Sequence, residues 1–301
     1  MLSPDSISIL VSSVLGLGLA IPSNTCIVMG NLDIIRKKGK LSPTDVIFLA
    51  KGIVNILLQC VLSIEGMIYV LCWAFLSVKE LSGFLNTSLY VLMYYNFWLT
   101  FWLSAHYCTS ITNLSYGFFI WLKRIVSNFL NQLLFLTALG MFIVRVPGSL
   151  VVNAESIQPS ENRTEDSGKM FHEIFSYRVP ANFLGIILPF CLSLLCLVLT
   201  SSFLLRHVWR VKNNDSGSTR PNLQAHVTAL RTIFFLLLIS TFFCMSQLDV
   251  FFQNSQTFPA VCWNLQILSP PVEAAVIFQA SNKLRRIILR RFWTRSQNTE
   301  T

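Results

Sequence analysis

Four polar residues that lie inside apolar stretches of the sequence are the strongest candidates for functional chemistry. Lys51 and Glu273 carry opposite charges at similar depths, about 8 to 12 Å from one end of their stretches at about 1.5 Å per helical residue. Asn24 and Asn55 fall in the same zone. A charge inside a bilayer is costly and usually faces the bundle interior, so we predict a buried polar cluster that holds the first, second and seventh apolar stretches together and is able to rearrange when the protein changes conformation. The alternatives are a static packing device and a Lys51 side chain that extends to the cytoplasm.

A second group of residues lies toward the opposite ends of similar stretches and could line a cavity for a small organic ligand. Its acidic members, Glu65 and Asp249, favour a cationic ligand because an unpaired anion at this depth is expensive. Its aromatic and polar members are Tyr90, Met93, Tyr94, Asn96, Phe97, Phe252, Trp263 and Gln266. An apolar, aromatic-lined cleft with a few polar groups suits such a ligand. Helix packing or an interfacial belt is the alternative for each aromatic residue, and solvation at a helix end is the alternative for Asp249.

Motifs for catalysis and cofactor binding are absent from the sequence. It contains no glycine-rich phosphate loop, no HExxH and no GxSxG. The 4 histidines are scattered, and the 8 cysteines lie in or beside apolar stretches without metal-binding spacing. We therefore predict no enzymatic activity, no cofactor and no metal site. Whether Cys72 and Cys262 pair stays open.

The elements that must position these residues are predicted to be membrane-spanning helices. Of the 301 residues 53% are hydrophobic and 12% charged, whereas charged residues make up about a quarter of a soluble domain. A mean hydropathy of +0.58 also excludes a disordered chain. Seven stretches have the roughly 20 apolar residues that a helix needs to cross a bilayer, and they cover residues 7–31, 46–71, 84–109, 127–148, 181–205, 228–252 and 260–281. Because these stretches are continuously apolar, we predict one all-α domain over residues 1–301, a seven-transmembrane helix bundle, and not a barrel.

The distribution of Lys and Arg predicts the orientation of the bundle. Most of the 23 basic residues fall in the first, third and fifth connections and in the tail 282–301, while few lie at the N-terminus or in the other connections. Positive residues concentrate on the cytoplasmic side, so the N-terminus is predicted to be outside and the C-terminus cytoplasmic. The net charge of +9 is then explained by contact with anionic lipid, and no nucleic-acid partner is implied.

The segment 149–180 is predicted to be the one sizeable outer loop. It is polar and acidic, and it contains the glycosylation sequon Asn162-Arg163-Thr164. The other sequons fall on the cytoplasmic side, at Asn113 and Asn214, or at a membrane edge, at Asn86. We therefore predict that Asn162 alone is glycosylated.

The sequence departs from rhodopsin-like receptors and instead resembles the bitter taste receptors, the type 2 taste receptors. Span three ends in His106-Tyr107-Cys108 where rhodopsin-like receptors have Asp-Arg-Tyr, and spans six and seven lack the Cys-Trp-x-Pro and Asn-Pro-x-x-Tyr motifs. The resemblance covers essentially the whole chain and is carried by LSPTD around Asp45, WLTFWLSAHYCTSITNLSYGFFIWLKR over 98–124, LPFCLSL over 188–194, AHVTALRT over 225–232 and NKLRR over 282–286.

Several positions depart from the family pattern and identify a divergent member. The family's span-two Arg aligns with Asn55, and its span-seven His-Ser or His-Pro pair aligns with Glu273-Ala274. The span-three Trp and Asn that often contact agonists align with Leu89 and Met93, and a span-seven Glu aligns with Trp263. The receptor frame is therefore implied by the resemblance, whereas the family's agonist contacts are not.

The resemblance implies a plasma-membrane, G-protein-coupled chemoreceptor. Such a receptor binds small organic, often bitter, compounds from outside and activates a heterotrimeric G protein of the gustducin-type Gi class. The residues expected around the coupling face are Tyr107, Lys123, Arg124, His207, Arg210, His226 and Arg231. A lipid-facing or headgroup role is the alternative for Lys123 and His207.

Two other functions and the assembly state stay open at this point. A pheromone-type chemosensory receptor is disfavoured by the taste-type segments over 98–124 and 225–232. In a multispanning transporter or channel, Lys51 and Glu273 would act as an ion relay, but the halves show no convincing repeat. A homo- or hetero-oligomer is compatible with the sequence.

Overall fold

A computed structural model describes residues 3–71, 79–111, 117–155, 177, 179–213, 221–246, 258–281 and 283–288. The helices in chain order are α1 Pro4–Lys38, α2 Pro43–Leu71, α3 Lys79–Ile111, α4 Gly117–Asn128, α5 Leu130–Glu155, a π-helical turn Phe183–Ile187, α6 Leu188–Asn213, α7 Pro221–Ser246 and α8 Phe258–Ala280. A short helical segment covers 283–288. The all-α class predicted from the sequence is confirmed for these residues.

Five described helical segments are long and apolar enough to cross a membrane by length and composition: Pro4–Lys38, Pro43–Leu71, Val179–Arg206, Val227–Cys244 and Ala260–Ala280. The predicted span 84–109 is helical within α3, and the predicted span 127–148 is helical within α5 from residue 130, but both fall short of the same criterion. The Tyr, Trp and Asn side chains of α3 lower its hydropathy, and the apolar part of α5, Leu130–Val146, is shorter. The number of seven spans and their orientation therefore stay predictions.

The two ends of α1 show why the sequence forms this helix. The Ser3 hydroxyl accepts a hydrogen bond from the Ser6 backbone N–H at 3.2 Å, which caps the first turn beside Pro4. At the other end Gly39 adopts φ 73°, and its N–H bonds to the Ile35 carbonyl at 2.8 Å. Glycine takes this left-handed conformation without the steric cost of a Cβ, so the helix ends there.

The central element of the bundle is α3. It contacts α2, α4, α5, α6, α7 and the π-helical turn, while α1 packs against α2 and α8. A buried apolar cluster joins these helices through residues such as Ile27, Phe48, Leu99 and Leu236, and Leu284 of the segment 283–288 belongs to it. Large apolar side chains are also exposed on the outside of the helices, which is expected of surfaces that face lipid.

The π-helical turn re-aims the start of the fifth predicted span toward α3. Gly185 presents its backbone to the Tyr94 ring, where a Cβ would overlap the ring. The Tyr94 hydroxyl donates to Asn182 Oδ1, and Trp98 Nε1 donates to the Leu184 carbonyl at 3.1 Å. A π-helical turn alters the regular backbone pairing of a helix, and here two aromatic side chains of α3 bind the altered segment. The sequence predicts a plain helix in this place and does not indicate the turn.

A separate helix also differs from the sequence prediction. The span-four prediction begins at residue 127, whereas α4 covers Gly117–Asn128 and α5 begins at Leu130. Residues 117–126 lie outside the predicted spans, in the third connection, whose basic residues are Lys123 and Arg124. In the structure both of these side chains are exposed while Val126 is buried, as in a helix with one packed side.

Candidate functional site

An ion pair between α2 and α8 is the centre of a buried polar cluster. Lys51 Nζ lies 3.1 Å from Glu273 Oε2, and the two side chains are 0% and 3% exposed. Lys51 Nζ also donates a 2.7 Å hydrogen bond to Asn96 Oδ1 of α3. Burying two charges costs several kcal/mol per ion, on the order of the pair's attraction, so further hydrogen bonds must satisfy the remaining donors and acceptors.

Three asparagine amides supply those hydrogen bonds. Asn55 Nδ2 donates to Glu273 Oε2 at 3.1 Å and to Asn24 Oδ1 at 3.3 Å. Asn96 Nδ2 lies 3.2 Å from both Glu273 carboxylate oxygens and 3.3 Å from Asn55 Oδ1. Both carboxylate oxygens therefore accept from neutral amides, and Oε2 accepts from the Lys51 ammonium as well. In such a network the loss of one member leaves buried partners unsatisfied.

The cluster is tied to α1 through Asn24. Asn24 Nδ2 donates to the Ala20 carbonyl of its own helix at 2.9 Å and to the Pro270 carbonyl of α8 at 3.3 Å. Pro270 and Pro271 lie inside α8 and supply no backbone N–H, so this part of the helix lacks two regular hydrogen bonds. The polar cluster thus joins α1, α2, α3 and α8 at the point where the backbone of α8 is interrupted.

The structure brings together all four residues that the sequence analysis assigned to the polar cluster, Asn24, Lys51, Asn55 and Glu273. It adds Asn96, which the sequence analysis grouped with the residues that could line a cavity for a small organic ligand, here called the ligand-level residues. A depth comparison is the signal that could have found it, because Asn96 and Glu273 lie at closely matching distances from the outer ends of their predicted spans.

A small cavity of about 10 Å³ adjoins the polar cluster. This volume corresponds to roughly one water molecule. Its lining brings α7 into contact with the cluster, and the residues around it are Leu58, Met93, Asn96, Phe97, Ser240, Phe243, Ser269 and Glu273. The Ser240 hydroxyl donates to the Leu236 carbonyl at 2.8 Å, which leaves its oxygen able to accept a further hydrogen bond.

The predicted ligand-level residues divide into two packed groups on different sides of α3. Met93, Tyr94 and Phe97 pack with Met141, Ala181, Ile186 and Phe243, and Tyr90 lies against this group with its ring centroid 5.8 Å from that of Tyr94. Leu89 packs instead with Leu58, Leu62 and Ile267, and Trp263 lies against that second group. The two sets therefore line different inter-helix contacts.

Among the predicted ligand-level residues of α2 and α8, two polar atoms are buried without a hydrogen-bond partner in the described part of the chain. They are Glu65 Oε2 and Trp263 Nε1. Gln266, another predicted ligand-level residue of α8, is buried. Buried polar atoms are normally paired, so unpaired ones indicate a place where a bound molecule or water completes the structure.

The start of α2, the end of α3 and the segment after α8 meet around Asp45. Lys283 Nζ donates to Asp45 Oδ2 at 2.7 Å, with side-chain exposures of 40% and 8%. The half-buried Tyr107 hydroxyl is hydrogen-bonded to the Thr44 side chain beside Asp45. Of the other predicted coupling residues, Lys123, Arg124 and Arg231 are exposed.

The remaining predicted residues lie where the structure gives less detail. His207, Arg210 and His226 belong to α6 and α7, but their side chains are outside the described part. Asp249, Phe252 and Asn162 lie outside the described residues altogether, as does Cys72.

Apolar helices of membrane-spanning length that enclose a buried ion pair define a multi-pass helical membrane protein. A family model described as "Taste receptor protein (TAS2R)" matches residues 1–296. The chain therefore belongs to the bitter taste receptors, a family of G-protein-coupled receptors, and the resemblance seen in the sequence is confirmed.

Individual relatives are similar over nearly the whole chain at low identity. Taste receptor type 2 member 9 of Homo sapiens is 26% identical over 290 residues, which are 91% of this chain and 89% of the relative. Taste receptor type 2 member 40 of Gallus gallus is 27% identical over 291 residues, or 92% and 90% of the two chains. Taste receptor type 2 member 8 of Papio hamadryas is 27% identical over 271 residues, 86% of each chain.

Proposed function

We propose that this bitter taste receptor resides in the plasma membrane as a single seven-helix domain and binds small organic compounds in the outer half of the bundle. Binding then activates a gustducin-type Gi-class heterotrimeric G protein on the cytoplasmic side. Membership of the family over residues 1–296 carries this proposal. The proposed orientation, with the N-terminus outside and Asn162 glycosylated, follows from the distribution of basic residues.

The proposed ligand site combines the two packed groups on either side of α3 with residues of the sixth and seventh predicted spans. Its members are Glu65, Leu89, Tyr90, Met93, Tyr94, Phe97, Asp249, Phe252, Trp263 and Gln266. On the α2 and α8 side, Glu65 Oε2 is an acceptor and Trp263 Nε1 a donor for which the described residues offer no partner. A ligand with an amine near Glu65 would satisfy the acceptor, which supports the preference for cationic compounds on this side.

The polar cluster is proposed as the element that transmits ligand binding. Asn96 lies three residues beyond Met93 on α3, and both line the small cavity next to Glu273. A ligand that moves Met93 or Phe97 therefore acts on the immediate neighbours of the ion pair. A ligand shifts the receptor toward an active arrangement only to the extent that it binds that arrangement better, and the cluster supplies the contacts that differ.

The coupling face is proposed to comprise Tyr107, Lys123, Arg124, His207, Arg210, His226 and Arg231. The contact of Tyr107 with Thr44, beside the Asp45–Lys283 pair, supports this assignment because it links α3 to α2 and to the segment after α8. A change in the polar cluster of α2, α3 and α8 is then carried along these helices to the cytoplasmic face.

A calcium assay tests the proposed function directly. Cells that express the chain with a chimeric G protein are exposed to a panel of bitter compounds, and the same cells without the G protein serve as the control. A response that requires the G protein supports the proposal. Ligand-dependent ion or solute flux that persists without it would favour a transporter or channel, and no response to any compound at normal surface expression contradicts the proposal.

A further inference from the structure

A buried cation lies at the corner between α3 and α5. Arg145 is only 7% exposed. It follows the buried Leu134 and Met141 along one stripe of α5, whereas Leu139 and Ile143 on the opposite face are 47% and 64% exposed. The Arg145 side chain therefore faces the helix bundle, and the apolar face of α5 is left for lipid.

The contacts of Arg145 leave its guanidinium short of acceptors. Its Cζ lies 4.2 Å from the centroid of the Tyr90 ring, and Nη2 donates a 3.3 Å hydrogen bond to Asn86 Oδ1. Nε is buried and has no hydrogen-bond partner among the described residues. The ion pairs of the described part join Lys51 to Glu273 and Lys283 to Asp45, so no described carboxylate neutralises Arg145.

A second unfilled polar group lies in the same region. The Tyr177 hydroxyl is buried without a partner in the described part of the chain, and its ring packs against the same apolar cluster as Tyr90. A guanidinium offers five N–H donors in a planar fork, and a phenol offers one more. Among the described residues this corner lacks an acceptor with negative charge, which a carboxylate or sulfonate supplies in a geometry that matches the fork.

We propose that Arg145 anchors the negatively charged group of small aromatic carboxylates or sulfonates, with Tyr90 flanking the aromatic part of the ligand. This inference rests on the proposed function, because it names a ligand class for the same outer site. This anion site is distinct from the cation preference proposed for Glu65, because Arg145 belongs to α5 and Glu65 belongs to α2. A lipid phosphate is another source of the same oxyanion chemistry, but the orientation of Arg145 toward α3 favours a soluble ligand.

Acid and ester pairs test the inference because they differ in charge and little in shape. Benzoate and naphthalene-2-carboxylate are compared with their methyl esters, and naphthalene-2-sulfonate is added, in the calcium assay and in thermal-shift measurements on purified receptor. In the unmodified receptor each acid is expected to act or stabilise at concentrations about 10- to 100-fold lower than its ester. Arg145→Gln is expected to remove this difference by weakening the acids and leaving the esters unchanged.

Two further variants keep the comparison interpretable. Arg36→Gln removes an exposed arginine of α1 and is expected to leave the effective concentrations of the acids and of their esters unchanged. If Arg145→Gln does not reach the cell surface, Arg145→Lys retains the charge without the planar fork and should reduce the acid preference partially.

Equal weakening of acid and ester by Arg145→Gln would overturn the inference, because it would mean that Arg145 only clamps α3 to α5. Acids that bind no better than their esters would also overturn it. A lipid source would appear as thermal stability that depends on Arg145 and on the anionic lipid content of nanodiscs, without an acid preference. Neutral agonists that still signal through the G protein would then leave the proposed function intact.

Discussion

The ring of Tyr94 packs directly on the backbone of Gly185, at the middle of the π-helical turn. This contact sets how closely the start of the fifth predicted span approaches α3. Tyr94 is fully buried, and its hydroxyl donates a hydrogen bond to Asn182, which lies about one helical turn before Gly185. Any side chain at residue 185 must therefore displace either the aromatic ring or the helix.

Gly185→Val is expected to destabilise the receptor by roughly 1–3 kcal/mol, because overpacking forces side chains and backbone to shift. The measurement is the unfolding temperature of purified receptor, together with surface expression. Gly140→Val is the matched control, since a Cβ there meets nothing within 4 Å. Equal effects of the two substitutions would show that the Tyr94 contact does not limit the approach of the helices.

Glu273→Gln is expected to reduce signalling at comparable surface expression. The substitution leaves the Lys51 ammonium buried opposite a neutral amide, and removing one partner of a buried pair costs about 3–5 kcal/mol. Agonist concentration–response curves in the calcium assay provide the measurement, with the exposed acid Glu80→Gln as the control.

The double variant Lys51→Met/Glu273→Leu separates stability from switching. Replacing both charges by apolar groups should restore much of the unfolding temperature lost in the single variant. If the pair takes part in activation, the double variant is stable but still signals poorly. Unchanged signalling in Glu273→Gln would remove the polar cluster from the proposed mechanism.

Asn96→Leu is expected to lower the free energy of unfolding by about 1–3 kcal/mol, since it removes the 2.7 Å acceptor of Lys51 and one donor to Glu273. Thermal unfolding of purified receptor measures the effect. Asn31→Leu is a buried control whose Nδ2 bonds to the Ile27 carbonyl of its own helix at 3.0 Å. A cost for Asn96→Leu no larger than for Asn31→Leu would contradict a central role for Asn96 in the cluster.

Asn162→Gln is expected to abolish the glycosidase-sensitive mass shift of the receptor, because Asn162 is the sequon predicted to lie in the outer loop. Gel mobility before and after enzymatic deglycosylation provides the readout. Asn113→Gln and Asn214→Gln serve as controls and should retain the shift. A shift that depends on either control residue would place that segment outside and reverse the predicted orientation.

The helical class and four residues of the polar cluster could be predicted from the sequence for one physical reason. A bilayer admits few polar side chains, so Lys51 and Glu273 stand out against an apolar background, and matching depths bring them together. The family was equally accessible, because segments such as 98–124 carry distinctive residues at fixed spacing.

The missed features depend on which way a helix is turned. Asn96 could be placed at a depth but was not assigned to the side of α3 that faces Lys51, and Arg145 was not assigned to any site. The π-helical turn at Gly185 changes the direction in which the preceding side chains of the same helical segment point. No local sequence motif marks the turn. Rotation about the helix axis is fixed by packing between helices, which hydropathy along one chain does not report.

The cavity beside Glu273 has room for about one water molecule, which has a consequence for the breadth of compound recognition. An organic compound cannot enter that space unless the side chain of Met93 or Phe97 first moves aside. Methionine is unbranched and adopts many shapes at small energetic cost, whereas a phenylalanine ring moves as a rigid plate. We therefore expect the flexibility of the Met93 thioether to set how many differently shaped compounds can bind in the proposed ligand site above Glu273.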